Sequence, residues 1–313
     1  MDCTTNMIAC INKPEGPSSF AVVQAVKKIL GEKKAGHIGT LDPLAEGVLP
    51  ICLNGSTRII QFLVNLTKVY KATLVLGAST DTQDKTGNVL ISAEAGHITE
   101  QQVRDALQGM VGEQLQTPPM FSAKKKDGVP LYKLARNGIS VEREPVPINI
   151  FSIEFLGKDG NEVSFRAHCS SGTYIRTLCH DIGKNLGCGG HMGHLVREQV
   201  GSFRLENSIS LEDLKTAHAD ANVTERLHAM DGALDFLPEI KISKNQVQSI
   251  VNGVSLSRSC IESYPDEFKP GMNIRVTNGN SRLIAIVEPL IDQDKFAKMP
   301  PDDIAFKLKR VLA

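Results

Sequence analysis

The spacing of apolar positions changes several times along the first hundred residues, and each change predicts a different element. Met7 to Ile11 form a short apolar run that reads as a buried strand, followed by the Pro- and Gly-rich turn "NKPEGPSSF". Val22, Val23, Val26, Ile29 and Leu30 then recur at the three- and four-residue spacing of an amphipathic helix. Ser18 or Ser19 is placed to cap that helix and Gly31 to stop it, with Lys27, Lys28, Lys33 and Lys34 on or just beyond its polar side. "GVLPICLNGSTRIIQFLVNL" predicts a strand followed by an apolar-periodic helix, and "KVYKATLVLGAST" alternates as a half-buried strand does. "DTQDKTGNVL" is a turn-rich loop into another strand, and "TEQQVRDALQGMVG" predicts a helix capped by Thr99 and ending near Gly109 or Gly112.

The period is lost in "QTPPMFSAKKKDGVPLYKLARNGISVEREPVPINI", a long, basic, Pro-rich segment with only a short helix around Leu131 to Asn137. Long segments of that kind are usually functional or disordered. Three strands are expected through "INIFSIEFLGKDGNEVSFRAHCSSG", then a helix, "YIRTLCHDIGKNLG", ending at Gly187. Because strands follow one another in hairpin fashion as well as beside helices, the expected fold is α+β with a mixed or antiparallel central sheet; a doubly wound parallel sheet fits less well. An acidic helical region over 210–235 leads to a boundary at Pro238. Short strands and two Asn-Gly turns beyond it predict a second, β-rich domain, so the expected division is 1–238 and 239–313.

Composition narrows the class of molecule. The chain has 313 residues, 41% hydrophobic and 22% charged, the make-up of a folded globular protein with room for two domains. Lys+Arg equals Asp+Glu at 35 each, so no net field draws it to a polyanion. The balance hides segregation: Arg58 to Lys71 holds three bases and no acids, Lys124 to Lys126 are consecutive, and Glu206 to Asp235 carries seven acids against Lys215 and Arg226. Seven irregularly spaced cysteines read as reduced thiols of a cytoplasmic protein. The opening "MDCTTNMIACINKPEG" has no signal-like apolar core, and no stretch approaches 18 apolar residues, so no membrane span is expected.

Chemistry centres on "HIGTLDPLAEGVLPI", residues 37–51, where Asp42 stands in a turn punctuated by Gly39 and Pro43. An Asp before proline is most often a turn residue. Here Leu41, Leu44, Val48 and Leu49 would wall it with apolar surface, and a carboxylate held rigidly at an apolar pocket can serve as nucleophile or general base. No second acid is near in sequence, so a paired-carboxylate hydrolase is not indicated. A buried carboxylate needs a countercharge, or it protonates. "CSSGTYIRTL" offers Arg176, and Tyr174 two residues earlier would share its side of an extended segment; the plainer reading of Arg176 is a surface ion pair. Tyr70, beside Lys68 and Lys71, is either core packing or a platform for a stacked base. Cys188, His191 and His194, with Cys179 and His180 upstream, imitate metal-ligand spacing. Structural zinc wants two well-formed ligand pairs and only one compact cluster exists, so no metal site is expected.

Taken together, these stretches resemble the TruB family of pseudouridine synthases, which modify the T-arm of tRNA. "HIGTLDPLAEGVLPICLNGSTRI" is similar to its aspartate motif, "INKPEGPSSF" to its N-terminal Lys-Pro motif and "KVYKATLVLGASTDTQDKTG" to its tyrosine motif. "CSSGTYIRTLCHDIGKNLGCGGHMGHLVREQVGSF" is similar to its arginine motif, so the resemblance runs in order over nearly the whole chain. It implies that uridine at T-arm position 55 is flipped out and isomerised without cofactor or metal. Asp42 would attack C1′ or C6, Tyr70 would stack on the base and take part in removing the C5 proton, and Arg176 would pair with Asp42. On the substrate side it implies His37, Tyr174, Leu195 and Lys13: His37 holds the flipped RNA, Leu195 lines the uracil pocket, and Lys13 with Pro14 acts mainly in support.

The basic segment, about 118–147, resembles the family's mobile thumb, although a solvated loop is its plainer reading. Residues 239–313 resemble a PUA-like module that reaches the tRNA acceptor stem, despite Glu262, Asp266 and Glu267 just after Ile261. Ser171 departs from the pattern, since many relatives carry Lys there. The implied partner is tRNA, with the enzyme acting as a monomer and apart from membranes. A guide-RNA-dependent dyskerin-type enzyme and a non-catalytic tRNA-folding helper are the rival readings; the thumb-like segment and compact tail favour the stand-alone enzyme.

Overall fold

The computed structural model describes residues 6–280 and 282–312. Its main sheet is built from β1 (Met7–Lys13), β2 (Glu46–Leu53), β3 (Lys68–Leu76), β4 (Gly112–Gln116), β5 (Val146–Asp159), β6 (Glu162–Cys169), β7 (Gly190–Val200) and the short β8 (His228–Ala229). Their spatial order is β8-β1-β2-β7-β3-β6-β5-β4, with Ala35–His37 added on β2 and Phe203–Arg204 on β7. All pairings along this path are antiparallel except β2 with β7. The sheet is therefore mixed, and the α+β expectation holds.

Burial follows the sequence period. β2 is buried at every position after Glu46 because both faces of the sheet are covered there: Leu49, Ile51 and Leu53 enter one apolar cluster, Val48 and Cys52 the other. β3 alternates instead, with Lys68, Tyr70, Ala72 and Leu74 inward. Helix α1 (Ser19–Leu30) covers the first face through Val22, Val23, Val26 and Leu30. The Ser18 hydroxyl caps it, and Gly31, at φ 68°, ends it. Helix α2 (Glu100–Gln108) begins with a Thr99/Gln102 capping box. Helices α3 (Leu131–Arg136), α4 (Ile175–Asn185) and α5 (Leu211–Ala219) follow.

Three sequence expectations fail locally. Two strands, not three, fill 146–169, because bulges at Ile150/Ser152 and Phe155/Gly157 let β5 run through fourteen residues without breaking. The helix expected after β2 is mainly a 3-10 stretch, Asn54–Ile59, with a single α turn at Ile60–Leu63. Asn252-Gly253 ends a short helix, with Gly253 at φ 88°, rather than turning a hairpin; Asn278-Gly279 does join two strands.

A second mixed sheet contains β9 (Glu239–Ile242), β10 (Leu256–Ser257), β11 (Ile261–Ser263), β12 (Ile274–Asn278), β13 (Leu283–Pro289) and β14 (Ile304–Val311), in the order β10-β14-β13-β12-β9-β11. It shares a core with the first: Leu283, Ile286 and Leu312 pack with Ile8, Ile59, Leu63 and Met230. Arg58 ties the two together by donating to the carbonyls of Val311 at 3.2 Å and Leu312 at 2.9 Å. No helix among the described residues is long and apolar enough to cross a membrane. The six described cysteines are free, and Cys3 lies outside the described residues.

Candidate active site

Asp42 sits in the loop that joins Ala35–His37 to β2, and three side chains hold that loop by its backbone. The hydroxyl of Ser19, on the buried face of α1, both accepts from the Leu41 amide and donates to the Leu41 carbonyl, each at 2.8 Å. The Lys13 ammonium, fully buried at the end of β1, donates to the carbonyls of Pro14 at 2.9 Å, Pro43 at 3.1 Å and Ala45 at 2.6 Å. From the other side Arg197 of β7, 1% exposed, donates to Val48 at 2.7 Å, Gly39 at 3.1 Å and Thr40 at 3.4 Å. The parallel β2–β7 pair makes this reach possible. Any side chain at Gly47, whose φ is 101°, would overlap the Arg197 backbone, so glycine lets the strands close.

Arg176 approaches from α4. It is the second residue of that helix rather than part of an extended segment, so Tyr174 precedes it around a turn instead of sharing a strand face. The arginine lies over the Tyr174 ring at 5.9 Å. Its Nη2 is 3.1 Å from the Asp42 carboxylate and 2.6 Å from the Phe121 carbonyl, while Nη1 is 3.7 Å from Asp84. Packing fixes the helix: a Cβ at Gly183 would overlap the backbone at Gly189 and Gly190, so α4 rests directly against the start of β7.

Burial and charge compete at Asp42. The side chain keeps 34% of its surface open to a cleft, yet protein surrounds the carboxylate closely enough for desolvation to dominate. Burial lifts its pKa, Arg176 and Lys13 oppose, Asp84 adds to the rise, and the result lies above the ordinary carboxylate value. Burial also lowers Lys13 to about 8 against the pull of Glu46 and Asp42. It raises the Tyr70 phenol, which Arg197 opposes; Arg197 is the cross-strand partner of Tyr70.

The cleft measures about 250 Å³, near the small end for ligand pockets, and Asp42, Tyr70, Tyr174, Arg176 and Leu195 all line it. Five of the seven residues singled out in the sequence thus meet at one place. Two do not. Lys13 is fully buried away from the cleft lining, with its ammonium donating to the carbonyls of the Asp42 loop. His37 lies on the short strand beside β2, outside the cleft lining, with Nδ1 buried and without a partner; burial and Arg197 lower its pKa.

Sequence reasoning missed Ser19 as a loop anchor, and also Arg197 and Asp84. Arg197 left a readable signal, since it takes the inward position two residues after Leu195 in a locally alternating stretch of β7. Asp84 left none: its placement beside Arg176 depends on a turn in which Thr82 and Thr86 hydrogen-bond its other oxygen. The metal-like spacing of Cys188, His191 and His194 dissolves in three dimensions. Cys188 faces the Gly183 and Gly189 carbonyls, His191 the Ala78 carbonyl at 2.9 Å, and His194 faces Glu46 at 3.2 Å.

Comparison with known proteins places these residues in a family. The model of the TruB family pseudouridylate synthase N-terminal domain matches residues 27–175, and that of the tRNA pseudouridylate synthase B C-terminal domain matches 176–235. The tRNA pseudouridine synthase B of Syntrophotalea carbinolica is 42% identical over 89% of this chain and 90% of its own. That of Geobacter sulfurreducens is 46% identical over 80% and 83%. Among solved structures, a Cbf5-Nop10-Gar1 complex contains a chain with TM-score 0.82 and 28% identity, over 99% of this chain and 86% of that one. The likeness takes in the second sheet, as expected for a PUA-like module. An aspartate gripped through its loop and paired to an arginine is therefore set in a chain that belongs to the TruB family of pseudouridine synthases.

Proposed function

We propose that this chain isomerises a single uridine of the tRNA T-arm, position 55, to pseudouridine, with Asp42, Tyr70 and Arg176 carrying the chemistry. Isomerisation of tRNA uridine follows from the family; the site on the tRNA and the residue roles are our reading. A uridine inside a folded arm must leave its stack before a side chain can reach it, at a cost of a few kcal/mol. The cleft is suited to one flipped base, held between Tyr70 and Leu195. The Asp42 carboxylate attacks at C1′ or at C6. The N1–C1′ bond breaks, the uracil turns within the pocket, and C5 bonds to C1′ as the aspartate is released. The C5 proton is lost, with Tyr70 as its acceptor or relay, and N1 gains a proton, so the elemental composition of the RNA is unchanged.

The observation that carries this reading is the 3.1 Å Arg176–Asp42 pair at the wall of a cleft shared with Tyr70. Residues 1–238 supply the chemistry in this scheme. Phe121, in the thumb-like segment 118–147, binds Arg176 through its carbonyl, so the thumb is wired to the site. Residues 239–313 would reach the acceptor stem, to which Lys307 and Arg310 on β14 stand exposed. Action as a single chain is favoured over guide-RNA dependence by the higher identity to the tRNA synthases, 42%, than to the Cbf5-containing complex, 28%. The test is to incubate the protein with an unmodified tRNA transcript and map pseudouridine by carbodiimide adducts and primer extension. A single stop at position 55 is expected; a stop elsewhere, or none, contradicts the reading.

A further inference from the structure

Lys68 is a buried cation that the chemistry above does not use. It opens β3, is 5% exposed, and lines the cleft. Its ammonium has three donors and makes one hydrogen bond, to the Val64 carbonyl at 2.8 Å. Among the described residues no carboxylate pairs with it. The groups near enough to act on it electrostatically are Arg197, a second cation, and the Cys169 thiol, which burial keeps protonated. Burial drives its pKa down to about 8, the sign of a charge without compensation. An unpaired charge in such a place is expensive, and a protein keeps one where a ligand of opposite sign completes it.

Position along the strand says which ligand. Lys68 precedes Tyr70 by two residues on the same inward face, a step of about 7 Å. That is the span from a base stacked on the tyrosine to the sugar–phosphate of the same nucleotide, not to the base edge. A uracil carbonyl would satisfy a donor but leave the charge unbalanced; a phosphate does both. Ser171, which also lines the cleft, brings no charge.

We propose that Lys68 is a phosphate-binding residue, taking a non-bridging oxygen of a phosphate that flanks the uridine held against Tyr70. The proposal rests on the reading of the cleft as the seat of a flipped uridine, and deepens it. The contact anchors the flipped nucleotide at both ends, with stacking on the base and charge on the backbone.

The test is a cycle between protein and RNA. T-arm stem-loops are made with an uncharged methylphosphonate at the phosphate 5′ or 3′ of the target uridine, or at a control position in the stem. Each is measured for KM and Kd with wild type and Lys68→Met. Wild type should lose on the order of tenfold in affinity for one of the flanking substitutions. Lys68→Met should show the same loss with ordinary RNA and no further loss with that methylphosphonate. Its slope of log Kd against log salt should be shallower by about 0.7. Lys68→Gln, which can still donate to Val64, repeats the test should the methionine variant not fold. If both flanking methylphosphonates cost wild type nothing, or cost wild type and variant alike, Lys68 does not bind the phosphate. If wild type fails to turn over any T-arm RNA, the functional reading falls instead, and the two failures are distinguishable.

Discussion

At the scale of single residues, the site is a set of charges that the fold keeps out of water. Asp42 is more costly to ionise here than in the unfolded chain, because its folded pKa lies above the ordinary value. An acid shifted in that sense favours the folded state while protonated and subtracts stability once pH rises through its titration range. Arg176 offsets part of that cost, and on the proposed function the remainder is tolerated because an ionised Asp42 is the reagent. Tyr70 is shifted the same way, with Arg197 across the strand pulling its phenol back down. Its ring and its hydroxyl can be separated experimentally. Tyr70→Phe keeps the stacking face, so it should bind T-arm RNA as wild type does while turnover falls by at least about 100-fold, the span of a proton-transfer contribution. Single-turnover kinetics beside a binding isotherm decides this, and a fully active phenylalanine variant would reduce Tyr70 to a stacking surface.

At the scale of elements, two close backbone approaches set the geometry: β2 against β7 at Gly47, and α4 against β7 near Gly183. The second aims Arg176. Gly183→Ala would push the helix off the sheet, costing about 1–3 kcal/mol by overpacking. It should also move the guanidinium from Asp42, slowing turnover on the order of 100-fold for a shift of about 1 Å. Denaturant unfolding and single-turnover rates would register both, and an alanine variant of full speed would show that α4 does not position the arginine. Much of this level was legible beforehand. Alternation in "KVYKATLVLG" and the three-four spacing of Val22 to Leu30 gave a strand and a helix where they stand, with the Ser18 and Gly31 caps. Asp42, Tyr70 and Arg176 were legible through motifs. Arg197 could have been read as a charge at an inward strand position. Asp84 and the parallel β2–β7 contact could not, because they depend on long-range register that no local period encodes. The bulged β5 misled the strand count for a similar reason, since bulges preserve pairing while breaking the alternation.

At the scale of the whole molecule, surface and site divide the work. Two sheets share one apolar cluster and are tied by Arg58, so the second sheet is held in a fixed place relative to the cleft. Zero net charge means that RNA is met by local basic surface rather than by the overall field, and on the proposed function that surface includes the Lys124–Lys126 run and β14. In the proposed function, binding is spread over many groups, whereas the bond change depends on one carboxylate. That separation gives the most direct test. A T-arm stem-loop tritiated at uridine C5 is incubated with excess wild type or Asp42→Asn, and released label and RNA affinity are measured together. Wild type should release about one equivalent per RNA as the base is turned and re-bonded. Asp42→Asn should release none at undiminished affinity. Release of label by the asparagine variant would contradict the assignment of Asp42 and, with it, the account of the site.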